Sequence, residues 1–195
     1  MEPSAIHFLK RIIEQFKPTN ILELGSGLST AILSTHMNTV HASQNGKGKI
    51  KPLYVSIDQS QEYLDETQEM LEKVGADQYV ELVQMDVCPF DVQGKTDYSC
   101  YDFDEGKLFK AFSGTKPDMV IIDGPVGGGP EGIPYARLLT LPLAKLITAP
   151  GAIVFLDDSL RDTELEIIAQ WSKLSDVKIH GIKCVAKGVM VGQTA

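Results

Sequence analysis

The stretch Ile21-Leu-Glu-Leu-Gly-Ser-Gly-Leu-Ser-Thr30 joins a short apolar run to an acid and two glycines. Residues 20–24 are predicted to form a short buried strand, and residues 28–36 a helix that begins near Ser29. A glycine-rich turn between a strand and a helix is typical of nucleotide-type cofactor sites, because glycine lets the backbone approach a ligand closely. The stretch therefore predicts a cofactor site at Gly25 and Gly27.

Strand and helix patterns alternate along the rest of the chain. Further strands are predicted at 52–58, 79–87, 117–123 and 151–157, and helices at 4–17, 60–74, 135–148 and 161–173. Two β-like segments at 177–182 and 184–192 lie too close together for a helical crossover, so we expect them to pair antiparallel. This order predicts an α/β protein with a mostly parallel sheet and helices on both faces.

One domain is expected over residues 1–195, because no composition shift or repeat divides the chain. It would open with an N-terminal helix within 1–18, whose apolar face serves a homodimer as easily as a cover for the cofactor site. The polar stretch 42–51 is predicted to be a loop or a small hairpin, and 124–134 a Gly/Pro loop. Residues 88–116 are expected to form an irregular insertion near the site, with a helix near 105–113.

Composition restricts the classes of function. The net charge of −8 argues against an extended nucleic-acid surface, and the lysines of GKGKIK at 46–51 fit a solvated loop. No apolar stretch is long enough for a membrane span, and the N-terminal pattern is not that of a signal peptide. The three cysteines show no CxxC spacing, which favours a reducing cytoplasm.

Acids recur where the predicted parallel strands end, at Glu23, Asp58, Asp86, Asp123 and Asp157–Asp158. Ligands of such sheets bind beyond these strand ends. A pyrophosphate beside Glu23 would be repelled, whereas the ammonium and sulfonium of S-adenosylmethionine would be attracted. The pattern therefore favours S-adenosylmethionine, with Asp58 accepting hydrogen bonds from both ribose hydroxyls.

Several motifs resemble those of the class I S-adenosylmethionine-dependent methyltransferases: ELGSG, SIDQS, QMDV, IIDGP and the C-terminal strand pair. The resemblance implies a Rossmann-like methyltransferase fold with seven strands in the order 3-2-1-4-5-7-6, the last strand reversed. It implies that Glu23, Gly25, Ser26 and Gly27 line the methionine end of the cofactor. It also implies a ribose site at Asp58, an adenine site at Met85 and Asp86, and a further cofactor contact at Gln59.

The pair IDGP and LDDS resembles metal-dependent O-methyltransferases of the catechol type and their IDG-motif relatives. The resemblance implies a divalent cation such as Mg²⁺ at Asp123, Asp157 and Asp158, with Asp123 catalytic and also close to the cofactor. The chain departs from these families at Val126, where they carry a lysine or a histidine. The alternative is that Asp123 contacts cofactor or substrate alone and that Asp157–Asp158 cap the helix near 161.

The leading interpretation is a methyltransferase that acts on an oxygen of a small molecule. The Asp/Asn-Pro-Pro-aromatic motif of nucleic-acid amino-methylating enzymes is replaced here by Asp123-Gly124-Pro125-Val126. A degenerate, non-catalytic cofactor-binding protein is one alternative. A nicotinamide-dependent oxidoreductase is another, which Glu23 and the C-terminal strand pair oppose. The cluster Tyr98, Tyr101 and Phe103 is interpreted as local packing in preference to a substrate pocket.

Overall fold

The computed structural model describes residues 1–42, 52–92, 95–126 and 135–195. The helices in these ranges are α1 (Pro3–Phe16), α2 (Leu28–Ala42), α3 (Gln61–Val74), α4 (Glu105–Ala111), α5 (Thr140–Ile147) and α6 (Asp162–Trp171). The strands are β1 (Asn20–Leu24), β2 (Leu53–Asp58), β3 (Val80–Gln84), β4 (Val87–Val92), β5 (Lys95–Tyr101), β6 (Met119–Ile122), β7 (Ile153–Asp157), β8 (Val177–Lys183) and β9 (Val189–Thr194).

Seven strands form one sheet in the order β3-β2-β1-β6-β7-β9-β8. Counted along the chain within this sheet, the order is 3-2-1-4-5-7-6. Strand β9 runs antiparallel to both β7 and β8, while β3, β2, β1, β6 and β7 pair in parallel. The predicted Rossmann-like α/β architecture, including the reversed last strand, is confirmed.

Both faces of the sheet are covered by helices. Leu22 and Leu24 of β1 point to a cluster that includes side chains of α4, α5 and α6. Ile21, the residue before Leu22, points to the opposite cluster with α1 and α2. Strands β6 and β7 are buried at every position, as apolar strands at the centre of a parallel sheet must be.

Helix α1 uses its apolar face within the chain. Its buried residues pack on α2 and on the sheet; they are Ala5, Ile6, Leu9, Ile12 and Ile13. The face is therefore taken, and the suggestion that it serves a dimer or covers the cofactor site is wrong. A homodimer stays a prediction without this support. No helix among the described residues is both long and apolar enough to cross a membrane.

The segment 88–116 is more regular than expected. The predicted strand 79–87 ends at Gln84, and a separate antiparallel hairpin of β4 and β5 follows, before α4. Proline in β4 hid this strand from sequence analysis, because Pro89 cannot donate to a ladder. Helix α2 runs to Ala42, and α5 begins at Thr140, later than expected. The predictions for 42–51 and 124–134 fall largely outside the described residues.

Candidate active site

The carboxyl ends of four parallel strands meet at one edge of the sheet. The register pairs Leu24 with Ile57 of β2 and with Ile122 of β6, and Ile122 with Leu156 of β7. The residues that follow these positions are therefore neighbours at the edge; they are Gly25, Asp58, Asp123 and Asp157. This is the edge at which open α/β sheets bind ligands.

Glu23 lies beneath the glycine turn and is fully buried. Its carboxylate accepts hydrogen bonds from the hydroxyls of Ser29 at 2.7 Å, Thr30 at 2.6 Å and Ser56 at 3.2 Å. Burial raises the pKa of Glu23 to about 7, and the bonds from Thr30 and Ser29 oppose this rise. In the structure the Glu23 oxygens face these three hydroxyls, and the contact of Glu23 with the methionine end of a cofactor stays a prediction.

The two glycines of the turn meet different requirements. A Cβ on Gly25 would lie 2.9 Å from the Gly124 nitrogen, so Gly25 lets the β1 and β6 loops touch. The Gly124 amide also donates a 2.6 Å bond to the carbonyl of Leu24. A Cβ on Gly27 would meet nothing within 4 Å. Gly27 therefore borders open space, as a residue beside a ligand should.

Asp58 ties the turn to the end of β2. Its Oδ2 accepts from the Ser26 amide at 2.9 Å, and its Oδ1 accepts from the Ser60 amide at 2.9 Å. Its side chain is almost fully buried. Its Oδ2 also accepts from the Ser26 hydroxyl at 3.4 Å. A carboxylate has about four acceptor positions, so one remains for a ligand after these three bonds, and a second when the Ser26 hydroxyl turns to another acceptor.

The residues predicted to border adenine lie just past β3. Met85 is buried in the core and its amide donates to the Asp58 carbonyl at 3.0 Å, whereas Asp86 is exposed. Gln59 is half-buried, and its buried Oε1 accepts no hydrogen bond within the described residues. Asp86 and Gln59 are free to contact a ligand here, while Met85 contributes mainly to the core.

Three carboxylates converge at the ends of β6 and β7. One oxygen each of Asp123, Asp157 and Asp158 lies within 4.8 Å of the others. Burial, and then the charges of Asp123 and Asp158, raise the pKa of Asp157 to about 6. The Oδ1 atom of Asp157 is buried and lacks a partner among the described residues. The predicted convergence of these acids is thus present in the structure.

A buried arginine, which sequence analysis missed, neutralises part of this charge. Arg137 is 3% exposed and donates to the backbone carbonyls of Asp123, Pro125 and Asp157. Its guanidinium also lies 3.6 Å from the Asp123 carboxylate and 3.8 Å from that of Asp158. Arg137 therefore holds together the loops that follow β6 and β7.

A second arginine, at the start of α6, engages the same acids. Arg161 lies 2.6 Å from the Asp158 carboxylate and 4.0 Å from buried Glu164. The N-cap residue of α6 is Arg161 itself, and no side chain caps that helix. The alternative in which Asp157–Asp158 cap this helix is therefore wrong. The amino group of Met1 lies 2.9 Å from Asp123 Oδ2 and completes the charged surroundings.

Tyr101 of β5 was identified from the sequence only as part of a local aromatic cluster. Its ring is fully buried in the main core, and its hydroxyl has no hydrogen-bond partner among the described residues. A Cβ on Gly124 would lie 2.5 Å from this hydroxyl. Tyr101 thus belongs to the main core and reaches the loop after β6, which corrects its interpretation as part of a local cluster. Arg137 lies 14 residues after Asp123 within a predicted helix, where no local pattern marks an arginine as buried.

No family model matches the chain, and no curated protein matches it. Among the solved structures that match 100% of this chain are three O-methyltransferases or putative O-methyltransferases. An O-methyltransferase from Bacillus cereus in complex with SAH has 15% identity, 82% of its own chain covered and a TM-score of 0.67. The O-methyltransferase TomG from Streptomyces achromogenes, in complex with SAM, is 15% identical, has 81% of its own chain covered and gives a TM-score of 0.65. A putative caffeoyl-CoA O-methyltransferase from Staphylococcus aureus is 12% identical, has 85% of its own chain covered and gives a TM-score of 0.66. At these identities the likeness establishes the fold, which is the α/β fold of these O-methyltransferases.

Proposed function

We propose that the chain is an S-adenosylmethionine-dependent methyltransferase that acts on an oxygen of a small molecule. The observation that carries this proposal is the Gly27 turn, open on its ligand side and tied to Asp58. Two proteins of the same fold were solved with SAH or SAM bound. A cationic cofactor also suits an edge that collects carboxylates, since opposite charges attract most strongly where water is excluded.

The cofactor would lie across the ends of β1 and β2. The backbone of Gly25, Ser26 and Gly27 would face its methionine end, and the free acceptor positions of Asp58 would take the ribose hydroxyls. Gln59, Met85 and Asp86 would border adenine. Glu23 would act from below by fixing the helix start through Ser29 and Thr30.

Substrate would be held at the end of β6, with Asp123 as the catalytic contact. Asp123 keeps 18% of its side chain exposed, more than Asp158 at 12%. Methyl transfer is an in-line displacement at the sulfonium methyl, so positioning the attacking oxygen supplies much of the acceleration. The Asp123 carboxylate would orient a substrate hydroxyl and receive its proton. Arg137 would hold the Asp123 loop in place through the Asp123 and Pro125 carbonyls.

A divalent cation fits the acidic edge. Asp123, Asp157 and Asp158 place three carboxylate oxygens, the ligand type that hard cations prefer, close together. The buried Oδ1 of Asp157 has no hydrogen-bond partner among the described residues, and a bound cation or a hydrogen-bond donor would satisfy it. We propose that these three residues hold Mg²⁺, which when bound would lower the pKa of a substrate hydroxyl. The two arginines compensate part of the charge of these acids.

Calorimetry and an activity assay test the proposal together. S-adenosylhomocysteine should bind wild-type protein, and NAD should not. Asp58→Ala should weaken this binding, whereas Asp65→Ala, which removes an exposed acid from α3, should not. Release of S-adenosylhomocysteine in the presence of phenolic and catecholic acceptors would then separate an enzyme from a non-catalytic cofactor-binding protein. Binding of NAD with no binding of either methionine compound would refute the proposal.

A further inference from the structure

Two of the three cysteines face each other in the β4–β5 hairpin. Cys88 of β4 is the register partner of Cys100 of β5, and both are free thiols. Residues directly opposite in an antiparallel pair project their side chains to the same face. The third cysteine, Cys184, is exposed and lies outside this hairpin. The hairpin therefore contains a dithiol whose members are neighbours across the strands.

A hydrogen bond at the base of the hairpin shows whether Cys88 and Cys100 form a hydrogen-bonded or a non-hydrogen-bonded pair of the ladder. The Asp102 amide donates to the Asp86 carbonyl at 2.8 Å, in register with the strands. Hydrogen-bonded and non-hydrogen-bonded pairs alternate along an antiparallel ladder. Cys88–Cys100, two residues further, is therefore a hydrogen-bonded pair. Pro89 then falls at a non-hydrogen-bonded position, which suits a residue without an amide hydrogen.

This geometry allows a disulfide but strains it. The Cα atoms of such a pair lie about 5.5 Å apart, within the roughly 4.4–6.8 Å range of disulfides. The Cβ atoms lie near the upper end of about 4.5–5.5 Å, whereas disulfides prefer about 3.5–4.5 Å. Closing the bond must draw the two strands together. A strained disulfide is reduced more readily than a relaxed one, so this bond would be reversible.

We propose that peroxide converts Cys88 and Cys100 into a reversible cross-strand disulfide. The sulfur of partly exposed Cys88 attacks one oxygen of hydrogen peroxide and the O–O bond breaks. The thiol proton leaves with the other oxygen as water, and a sulfenic acid remains on Cys88. The Cys100 sulfur then attacks the Cys88 sulfur, the S–O bond breaks, and a second water leaves with the Cys100 proton. Two electrons pass in total from the two thiols to the peroxide.

The order of the two steps follows from exposure. Cys100 is fully buried, and burial raises its thiol pKa to about 12, so it stays protonated and unreactive towards peroxide in solution. Cys88 reaches solvent and reacts first. The Cys100 thiol lies directly across the hairpin from Cys88, so it is the thiol that reacts with the Cys88 sulfenic acid. This proposal does not depend on methyl transfer or on cofactor binding.

Peptide mapping of the full-length protein tests it directly. Lys95 lies between the two cysteines, so trypsin releases Cys88 in peptide 74–95 and Cys100 in peptide 96–107. After peroxide treatment of the folded protein, non-reducing mass spectrometry should find these peptides joined. Millimolar glutathione should then separate them again. Cys184→Ser should leave the link unchanged, and Cys88→Ser should abolish it.

Three outcomes would overturn the proposal. One is stable sulfenic acid or its further oxidation on Cys88 with no linked peptide. Another is a link that contains Cys184. The third is a linked peptide that appears only when circular dichroism shows the protein unfolded, since the cysteines would then have met outside the hairpin. The wild-type measurement needs no variant, so a misfolded substitution cannot obscure the result.

Discussion

Glu23 provides a test of the site that needs no ligand. Its carboxylate is fully buried, and its pKa is raised from 4.5 to about 7 mainly by that burial. The folded protein therefore binds this proton more tightly than the unfolded chain does. The contribution to the free energy of unfolding is complete below about pH 4.5 and is lost as the pH rises through 7. A shift of this size corresponds to about 3 kcal/mol.

Glu23→Gln removes the titration and keeps the shape. The amide oxygen accepts from one hydroxyl, and the amide nitrogen donates to another after the hydroxyls of Ser29, Thr30 or Ser56 rotate. Urea unfolding of both proteins between about pH 4.5 and pH 8 measures the stability difference. We expect this difference to move by about 3 kcal/mol in favour of the variant as the pH rises.

The comparison isolates Glu23, because every other titrating group is present in both proteins. Glu81→Gln, which replaces an exposed acid on β3, serves as the control and should give a difference independent of pH. A Glu23→Gln difference that stays constant with pH, or that moves in favour of the wild type, would refute the reasoning. It would mean that the three hydroxyls outweigh desolvation and keep the carboxylate ionised.

Four further outcomes are expected. Asp58→Ala should weaken S-adenosylhomocysteine binding by about 1.5–3 kcal/mol in calorimetry, the range for hydrogen bonds to a charged group. Arg137→Met should lower the free energy of unfolding by about 3–5 kcal/mol, because the buried acids lose their cation, while exposed Arg11→Met should be nearly neutral. Mg²⁺ should raise the melting temperature of the wild type but not of Asp157→Asn, and a chelator should reverse the effect. Gly124→Ala should cost about 1–3 kcal/mol by overpacking, and less in a Tyr101→Phe background, where the hydroxyl 2.5 Å from the new Cβ is absent.

The sheet could be predicted because each of its central strands corresponds to a short apolar run in the sequence. The run 20–24 and the segments near 117–123 and 151–157 each become a buried parallel strand. Their end residues meet at one edge by the rule for parallel sheets. The convergence of Asp123, Asp157 and Asp158 followed from this rule alone, without side-chain information.

The parts that sequence analysis missed depend on contacts between distant segments. Pro89 and a polar composition concealed the β4–β5 hairpin, whose pairing is decided by the partner strand. The burial of Glu23 depends on Ser56, which arrives from β2, 33 residues away. A pattern in one segment cannot reveal a hydroxyl supplied by another. The sequence therefore predicted a ligand contact for Glu23 but not the internal hydrogen bonds that the structure adds.

Arg137 shows how local sequence pattern and contacts between distant segments together determine the site. In the sequence it stands within the predicted helix 135–148, where an arginine is normally a surface residue. Helix α5 instead begins at Thr140, and the preceding turn, with Tyr135 at a φ of 56°, directs the chain so that Arg137 is buried. Four acids meet three cations there: Asp123, Asp157, Asp158 and Glu164 face Arg137, Arg161 and the Met1 amino group. With all seven groups ionised, the edge keeps one negative charge, and the buried Oδ1 of Asp157 lacks a partner among the described residues. A purely structural ion network would satisfy that oxygen, so its unpaired state favours a ligand site at the ends of β6 and β7.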